Sequence, residues 1–475
     1  FELTILANKQ PEKALEIADR VRRQRFFSLL PAGGRLLALR WILEAPEASL
    51  SAEAKLQRQD LLVKYPRYAE ISREVQQTRD ALRAISLTDS SAEVRRQRDA
   101  HFQTLGRLSA AQELLLGEIA LRRNGSDREC APIRYTNTIQ ASLSPRQLAM
   151  VFFATQRHLH VFVFTRDQYA HWLVPEPAKL AAGTGDLLRL FGMYDGNQAV
   201  SHTQLTDARW KAASAALLDQ LMAGGAQDFW DRYDELIIVP DKFLWYLPFE
   251  ALHAPTAGGE TAPLITRVRI RYAPTAALVI PDARPHAARG RSLVVHGKLF
   301  PRDADALAAD AAETLAQILP DTAIVTNQLP APSRLTAVVC DRAVVLDDID
   351  DPAGGPLDWS PLQVDRGKPG SALGQWLALP WGGPQQIVLP GFHTAAEDSL
   401  KQAPGGDEVI LAVTGPMATG TRTVLLSRWR TGGQTSYDLV REFTQELPHT
   451  TASNAWQRSV ELLRAMQLGD VATVR

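Results

Sequence analysis

Apolar positions recur along this chain with a helical period first, a strand period next, and an alternation of the two for the rest of its length. Residues 1–125 are rich in Ala, Leu, Arg, Glu and Gln and poor in β-branched runs, which is helical composition. In "KALEIADRVRRQRFFSLL", Ala14, Ile17, Ala18 and Val21 fall at i, i+3, i+4 and i+7, predicting one apolar stripe with the arginines turned away. "AEAKLQRQDLLVKY", "AEISREVQQTRDALRAI" and "RLSAAQELLLGEIALRR" repeat the amphipathic pattern, and "YPRY" and "LTDSS" between them carry breakers and cap residues. The many arginines here read as solvated helix faces.

The period then shortens. "QLAMVFFAT" and "HLHVFVFTRDQYAHWLV" are apolar and aromatic runs separated by the polar "QRH", as in a hairpin or two adjacent strands. His158 and His160 alternate with Leu159 and Val161 and so share one sheet face. Two such histidines suit a metal, but no third donor is near in sequence, and the pair reads as partly exposed strand residues. From about residue 185, "DARWKAASAALLDQLMA" and "DADALAADAAETLAQIL" read as helices among the buried strands "DELIIVP", "RSLVVHG", "RAVVLDDID", "QQIVLPG" and "TRTVLLSRW", with "SYDLVREFTQEL" and "ASNAWQRSVELLRAM" as closing helices. Short apolar strands separated by helices predict an α/β fold, a mostly parallel sheet flanked by helices on both faces, preceded by an α-helical segment. The expected divisions are 1–125 (helical), 126–285 (strands plus a helix) and 286–475 (core).

Composition adds exclusions. The 475 residues carry 52 Lys+Arg against 53 Asp+Glu, a formal net charge of -1, with no basic excess to hold a phosphate backbone, so direct nucleic-acid binding is not expected. No apolar run approaches the ~20 residues of a membrane span and no signal peptide is present, so a cytoplasmic protein without membrane contact is expected. Two cysteines, Cys130 and Cys340, make neither a disulfide framework nor a zinc site. The chain starts at Phe1 without a Met, as a fragment of a longer protein would.

Candidate chemistry lies where strands end, because loops beyond the carboxyl ends of parallel strands are the usual catalytic and ligand positions. In "QQIVLPGFHTAAEDS", Pro390-Gly391 break the strand and Phe392 follows, then His393 and Thr394. In "RAVVLDDIDDP", Asp347, Asp348, Asp350 and Asp351 follow a strand and are weak candidates for Mg²⁺ or Ca²⁺, with an acidic surface or cap as the plainer reading. The spacing of Asp348 and Asp350 resembles the strand-end aspartates of haloacid-dehalogenase-type phosphatases, but the Thr that should follow is absent. Cys340 precedes its strand and reads as a buried structural thiol. Ser399, Ser427 and Thr394 offer hydroxyls with no signature pairing them to a base.

The most specific stretch is "DELIIVPDKFLWYLPFEALHAP", residues 234–255, which closely resembles the opening of the CHAT domain, the bacterial caspase-like peptidase module usually found behind tetratricopeptide repeats. The resemblance continues in order: "RVRIRYAPTAALV" is similar to the strand and turn that follow, "RSLVVHG" to the first strand of a caspase-type core, and "PGGDEVILAVTGPMATGTRTVLLSRWRTGGQTSYDLVREFTQEL" to the closing block. "ALEIADRVRRQRFFSLL" resembles the junction helix between repeats and CHAT, which implies a tetratricopeptide-like or helical-hairpin region before the caspase-like core at 286–475.

Peptide hydrolysis in such a fold needs a thiolate to attack the carbonyl and a histidine to move protons, both at carboxyl ends of adjacent strands. Ser360-Pro361-Leu362 aligns the family's histidine position on or beside Asp350, and Leu389, Thr394 and Ala395 align its cysteine position with Phe392. The resemblance therefore implies no catalytic residue: a degenerate pseudopeptidase that binds or regulates other proteins. Phe392, His393, Thr394, Trp359, Trp381 and His296, with Trp376 nearby, become candidates for a peptide-binding cleft. The implied partners are proteins, an active peptidase or another component of a bacterial signalling or defence complex, and no cofactor is expected. The alternatives are an active cysteine peptidase with relocated catalytic residues and a metal-dependent hydrolase at Asp347–Asp351.

Overall fold

Short apolar runs bounded by Pro, Gly and Asp assemble into two five-stranded sheets. The computed structural model describes residues 1–122, 134–192, 203, 209–225, 229–256, 258–280, 290–326, 328–350, 355, 357–362, 364, 368, 371–378, 381–394, 400 and 405–465. The first sheet opens with an antiparallel meander, β1 (Gln147–Ala154), β2 (Leu159–Phe164) and β3 (Tyr169–Val174). It is completed by β4 (Glu235–Val239) and, after the small hairpin of β5 (His253–Pro255) and β6 (Thr261–Pro263), by β7 (Arg269–Tyr272). The order is β3-β2-β1-β4-β7, with β4 parallel to both β1 and β7.

The second sheet is wholly parallel. Along the chain run β8 (Ser292–His296), β9 (Thr322–Val325), β10 (Arg342–Leu346), β11 (Ile349–Asp350), β12 (Gln386–Leu389), β13 (Phe392–His393) and β14 (Thr423–Leu426). The sheet order is β14-β12-β10-β8-β9, while β11 and β13 pair only with each other, as parallel extensions of β10 and β12 beyond a break. The chain moves from β8 to β9 on one side and then returns to β10 on the other. The switch point therefore lies at β8, and its crevice opens at the carboxyl ends of β8 and β10.

Alternation of side chains along the strands decides what covers each face. Leu293, Val295, Val345, Ile387 and Leu389 face Ile71, Val75, Leu82, Phe102 and Leu105, so the helices Pro66–Ala84 and Ala92–Arg122 form one layer over the second sheet. Val294, Val344 and Val388 face Ala308, Ala312, Leu315, Tyr437, Val440 and Phe443, from the helices Asp305–Ile318 and Gly433–Glu446 on the opposite side. Each large apolar side chain so buried contributes about 1.5–3 kcal/mol. The amino-terminal helices are thus one covering layer of the core. Among the described residues no helix is long and apolar enough to cross a membrane.

One expectation needs correction. The first long helix, Pro11–Ser28, buries Ala14, Leu15, Ala18, Asp19, Arg22, Arg23 and Phe26, whereas Val21 is exposed. The stripe is rotated because buried acids recruit the arginines inward. Asp241, at the end of β4 and 1 % exposed, lies 2.9 Å from Arg25 and 4.0 Å from Arg22, while Asp19 accepts the Ala276 N–H at 2.7 Å and pairs with Arg23. Other helix arginines serve the joint with the core. Arg79 donates to the carbonyls of Trp381, Gly382 and Val338, and Arg40 to that of Leu377. Polar patterning alone reads these guanidinium groups as solvated because it cannot see carbonyls more than 250 residues away, as in the Arg79 contacts.

Candidate functional site at the strand ends

The strand-end loops of the second sheet are locked by close backbone approach. A Cβ on Gly391 would lie 1.9 Å from the Asp347 carbonyl oxygen, and one on Gly297 would lie 2.5 Å from the Asp347 Cγ, so both turns require glycine. The Gly297 N–H donates to Leu346 O at 2.9 Å and the Ile349 N–H to Gly391 O at 2.9 Å. Three loops, after β8, β10 and β12, therefore converge at the switch point.

Asp347 sits at their centre. Its carboxylate accepts the Asp348 N–H at 3.0 Å and the Lys298 N–H, yet burial outweighs these bonds and pushes its pKa up to about 6. Asp348 is held by two cationic or protonatable partners. Arg430 Nε lies 3.1 Å and His393 Nε2 3.0 Å from the same oxygen, Oδ1. Arg430 Nη2 also lies 3.2 Å from His393 Nε2. The two arrangements of the histidine exclude each other: Nε2–H donates to Asp348, whereas a bare Nε2 accepts from Arg430. His393 is consumed by this ion-pair triad and is 8 % exposed.

In β11 and β13 the backbone register pairs Ile349 with Phe392 and Asp350 with His393. Positions 350 and 392, where the resemblance puts the base and the nucleophile, thus fall on adjacent parallel strands, one residue out of step. Phe392 is 0 % exposed, its ring 4.9 Å from that of Trp359, itself 1 % exposed, within the same apolar cluster as Trp376. Hydrocarbon thus stands at the position where the resemblance expects a nucleophile. Thr394 is buried, its hydroxyl without a hydrogen-bond partner among the described residues, while Ser427 Oγ donates to Trp429 O. His296 ends β8 opposite Leu346 and is half-buried.

Other candidates are not brought here. Trp381 packs edge-on against Trp41 at 4.8 Å, and its backbone N–H donates to Glu44, at the joint with the amino-terminal helices. Cys340 precedes β10, at the opposite end of that strand from Asp347; it is wholly buried, and burial pushes its thiol up to about 12. Asp347 and Asp348 face backbone N–H groups, Arg430 and His393 and share no third metal donor among the described residues. Asp351, Ala395, Ser399 and Cys130 lie outside the described residues, and of Asp350 only the backbone is described.

Sequence patterning gave no notice of Arg430, which follows β14 and completes the triad, or of a second feature between the sheets. The end strands β7 and β14 both line a cavity of about 700 Å³, walled by Trp245, Tyr272, Trp381, Arg428 and Trp456. The Arg428 guanidinium lies 4.7 Å over the Tyr272 ring, and the Tyr272 hydroxyl donates to Glu250 at 2.8 Å, so the wall is aromatic with paired charges.

Residues 207–346 match the family model of the CHAT domain. The chain contains a CHAT domain. The match covers β4 through β10 and ends at Leu346, the last residue of β10, one residue before the strand-end aspartates. The α/β architecture, with its parallel sheet flanked by helices, agrees with the caspase-like fold of this family. No curated protein matches the chain. In this CHAT protein the strand-end crevice carries an acid, an imidazole and a guanidinium bound to one another, with an aromatic ring at position 392.

Proposed function

We propose that this CHAT protein is a catalytically inactive, peptidase-shaped subunit that binds and regulates other proteins in a bacterial signalling or defence system. One observation carries the reading: Phe392, in β13 just beyond β12 where a nucleophile is expected, is a fully buried ring packed on Trp359. Carbon in a closed core cannot attack a carbonyl. Cys340 gives no substitute, because its thiol is buried, held protonated and placed at the other end of the strand. His393 and Asp348 are a histidine–carboxylate pair with Arg430 in place of a nucleophile.

The inter-sheet cavity supplies the binding surface. Two end strands face it, β7 and β14, and an extended segment of a partner protein would add to one of them while its apolar side chains enter the aromatic wall. Val413, half-buried on the cavity wall, is the place to test this. On an array of extended peptides the parent protein is expected to select sequences with an aromatic or aliphatic anchor, and Val413→Arg to lower their affinity at least tenfold without changing the unfolding midpoint. An array on which parent and Val413→Arg bind alike would remove the cavity from the proposal.

A further inference from the structure

A separate cluster of donors lies on the first sheet, far in sequence from the strand-end site. The turn between β1 and β2 is closed by Thr155 N donating to His158 O at 2.8 Å, which fixes His158 immediately before β2. Glu2 reaches this turn from the start of the chain. Its Oε1 accepts from Thr155 Oγ1 at 2.8 Å and lies 3.2 Å from His158 Nδ1. His160, two residues on along the same face, is 0 % exposed; its Nδ1 lies 3.1 Å from His171 Nε2 on β3, and its Nε2 has no hydrogen-bond partner among the described residues. The donor atoms of Glu2, His158 and His160 lie within 4.8 Å of one another.

A fully buried imidazole nitrogen without a partner forfeits its hydration with nothing in return, so its presence beside a carboxylate and a second imidazole calls for a ligand. We propose that Glu2, His158 and His160 form a binding site for a divalent transition cation of the zinc class, with His171 as the positioning partner that holds His160 in the correct tautomer. Nitrogen donors select such an ion over Mg²⁺ or Ca²⁺, and a His₂Glu set leaves a fourth tetrahedral position open to water. The geometry is close to that required. Two ligands bound at about 2.0–2.1 Å lie about 3.3 Å apart in a tetrahedron and at most about 4.2 Å apart in any geometry. The 3.2 Å between Glu2 and His158 meets the first figure, and the 4.8 Å span closes by rotating those two side chains, which are 42 % and 37 % exposed.

The Phe1 ring closes edge-on over His160 at 4.8 Å and contacts Phe153 at 4.6 Å, shielding one side of the site. An ion here would tie the first turn of the chain to β2, across more than 150 residues of sequence.

The test uses tag-free protein stripped with a chelator and titrated with Zn²⁺ by calorimetry, and with Co²⁺ by visible absorption. One ion per chain is expected, with the intense d–d bands of tetrahedral Co²⁺. His158→Ala and Glu2→Gln, both at half-exposed positions, are each expected to weaken binding at least 100-fold while leaving the metal-free unfolding curve in place. His171→Gln should weaken it about 10–100-fold, as expected for a residue that orients a ligand. No binding at about 100 μM Zn²⁺, or an affinity unchanged in the Glu2→Gln, His158→Ala double variant, would overturn the proposal.

Discussion

Replacing Phe392 with alanine separates a core residue from a cleft residue. The ring is fully buried, in tilted contact with Trp359 at 4.9 Å, and belongs to the cluster that joins the second sheet to the amino-terminal helices. Removing a buried phenylalanine ring costs about 3–5 kcal/mol, the lost transfer energy together with the cavity left behind. At 1.4 kcal/mol per factor of ten, the unfolding equilibrium constant should rise by roughly two to four orders of magnitude. Phe392→Leu, which keeps most of the volume, should cost less than half as much. Urea unfolding followed by tryptophan fluorescence reads both, because Trp359 reports on the same cluster. Phe392→Cys adds a chemical arm: the new thiol lies in the same closed core, so it should gain neither peptidase activity nor rapid labelling. A loss below about 1 kcal/mol for Phe392→Ala would show that the ring faces an open cleft.

Three further outcomes follow from the same structure. Asp347 has a folded-state pKa of about 6, above the usual carboxylate range, so the folded protein binds its proton more tightly than the unfolded chain does; stability from this group is fully present below about pH 4 and is lost as pH rises towards 6. Asp347→Asn, compared with the parent by thermal unfolding across pH 4–7, should flatten that part of the profile, and an unchanged slope would refute the assignment. In a Cys130→Ser background, Cys340 should resist a thiol reagent at pH 8 in the native state and react on unfolding, because a thiol with a pKa near 12 is about one part in 10⁴ thiolate there. Arg79→Met removes donors from three core carbonyls and should cost about 2–4 kcal/mol, with limited proteolysis releasing the helical region earlier than in the parent.

Sequence periodicity located the strands well where each run is continuously apolar, as in Leu236–Val239 or Ile387–Leu389, since burial on both faces leaves no other reading. It failed on the helix at Pro11–Ser28 because Arg22 is buried against Asp241 and the Phe153 ring, both supplied from far along the chain, information absent from a local window. The candidate site was legible in part for the same reason. Phe392 and His393 lie at a strand end that the Pro390-Gly391 break announces, and parallel pairing with Ile349 and Asp350 follows from the topology. Neither Arg430 nor the burial of Phe392 under Trp359 could be read there, because both depend on loops that meet only after the sheet has formed. His158 and His160 were visible as a pair on one face, whereas their carboxylate partner, Glu2, comes from the other end of the sequence.

The proposed absence of peptidase chemistry is tested most directly by incubating the protein with a complex library of peptides and reading new termini by mass spectrometry, beside a Cys130→Ser, Cys340→Ser double variant. No termini above those of the double variant are expected. New termini that appear with the parent protein and disappear with Cys340→Ser would contradict it.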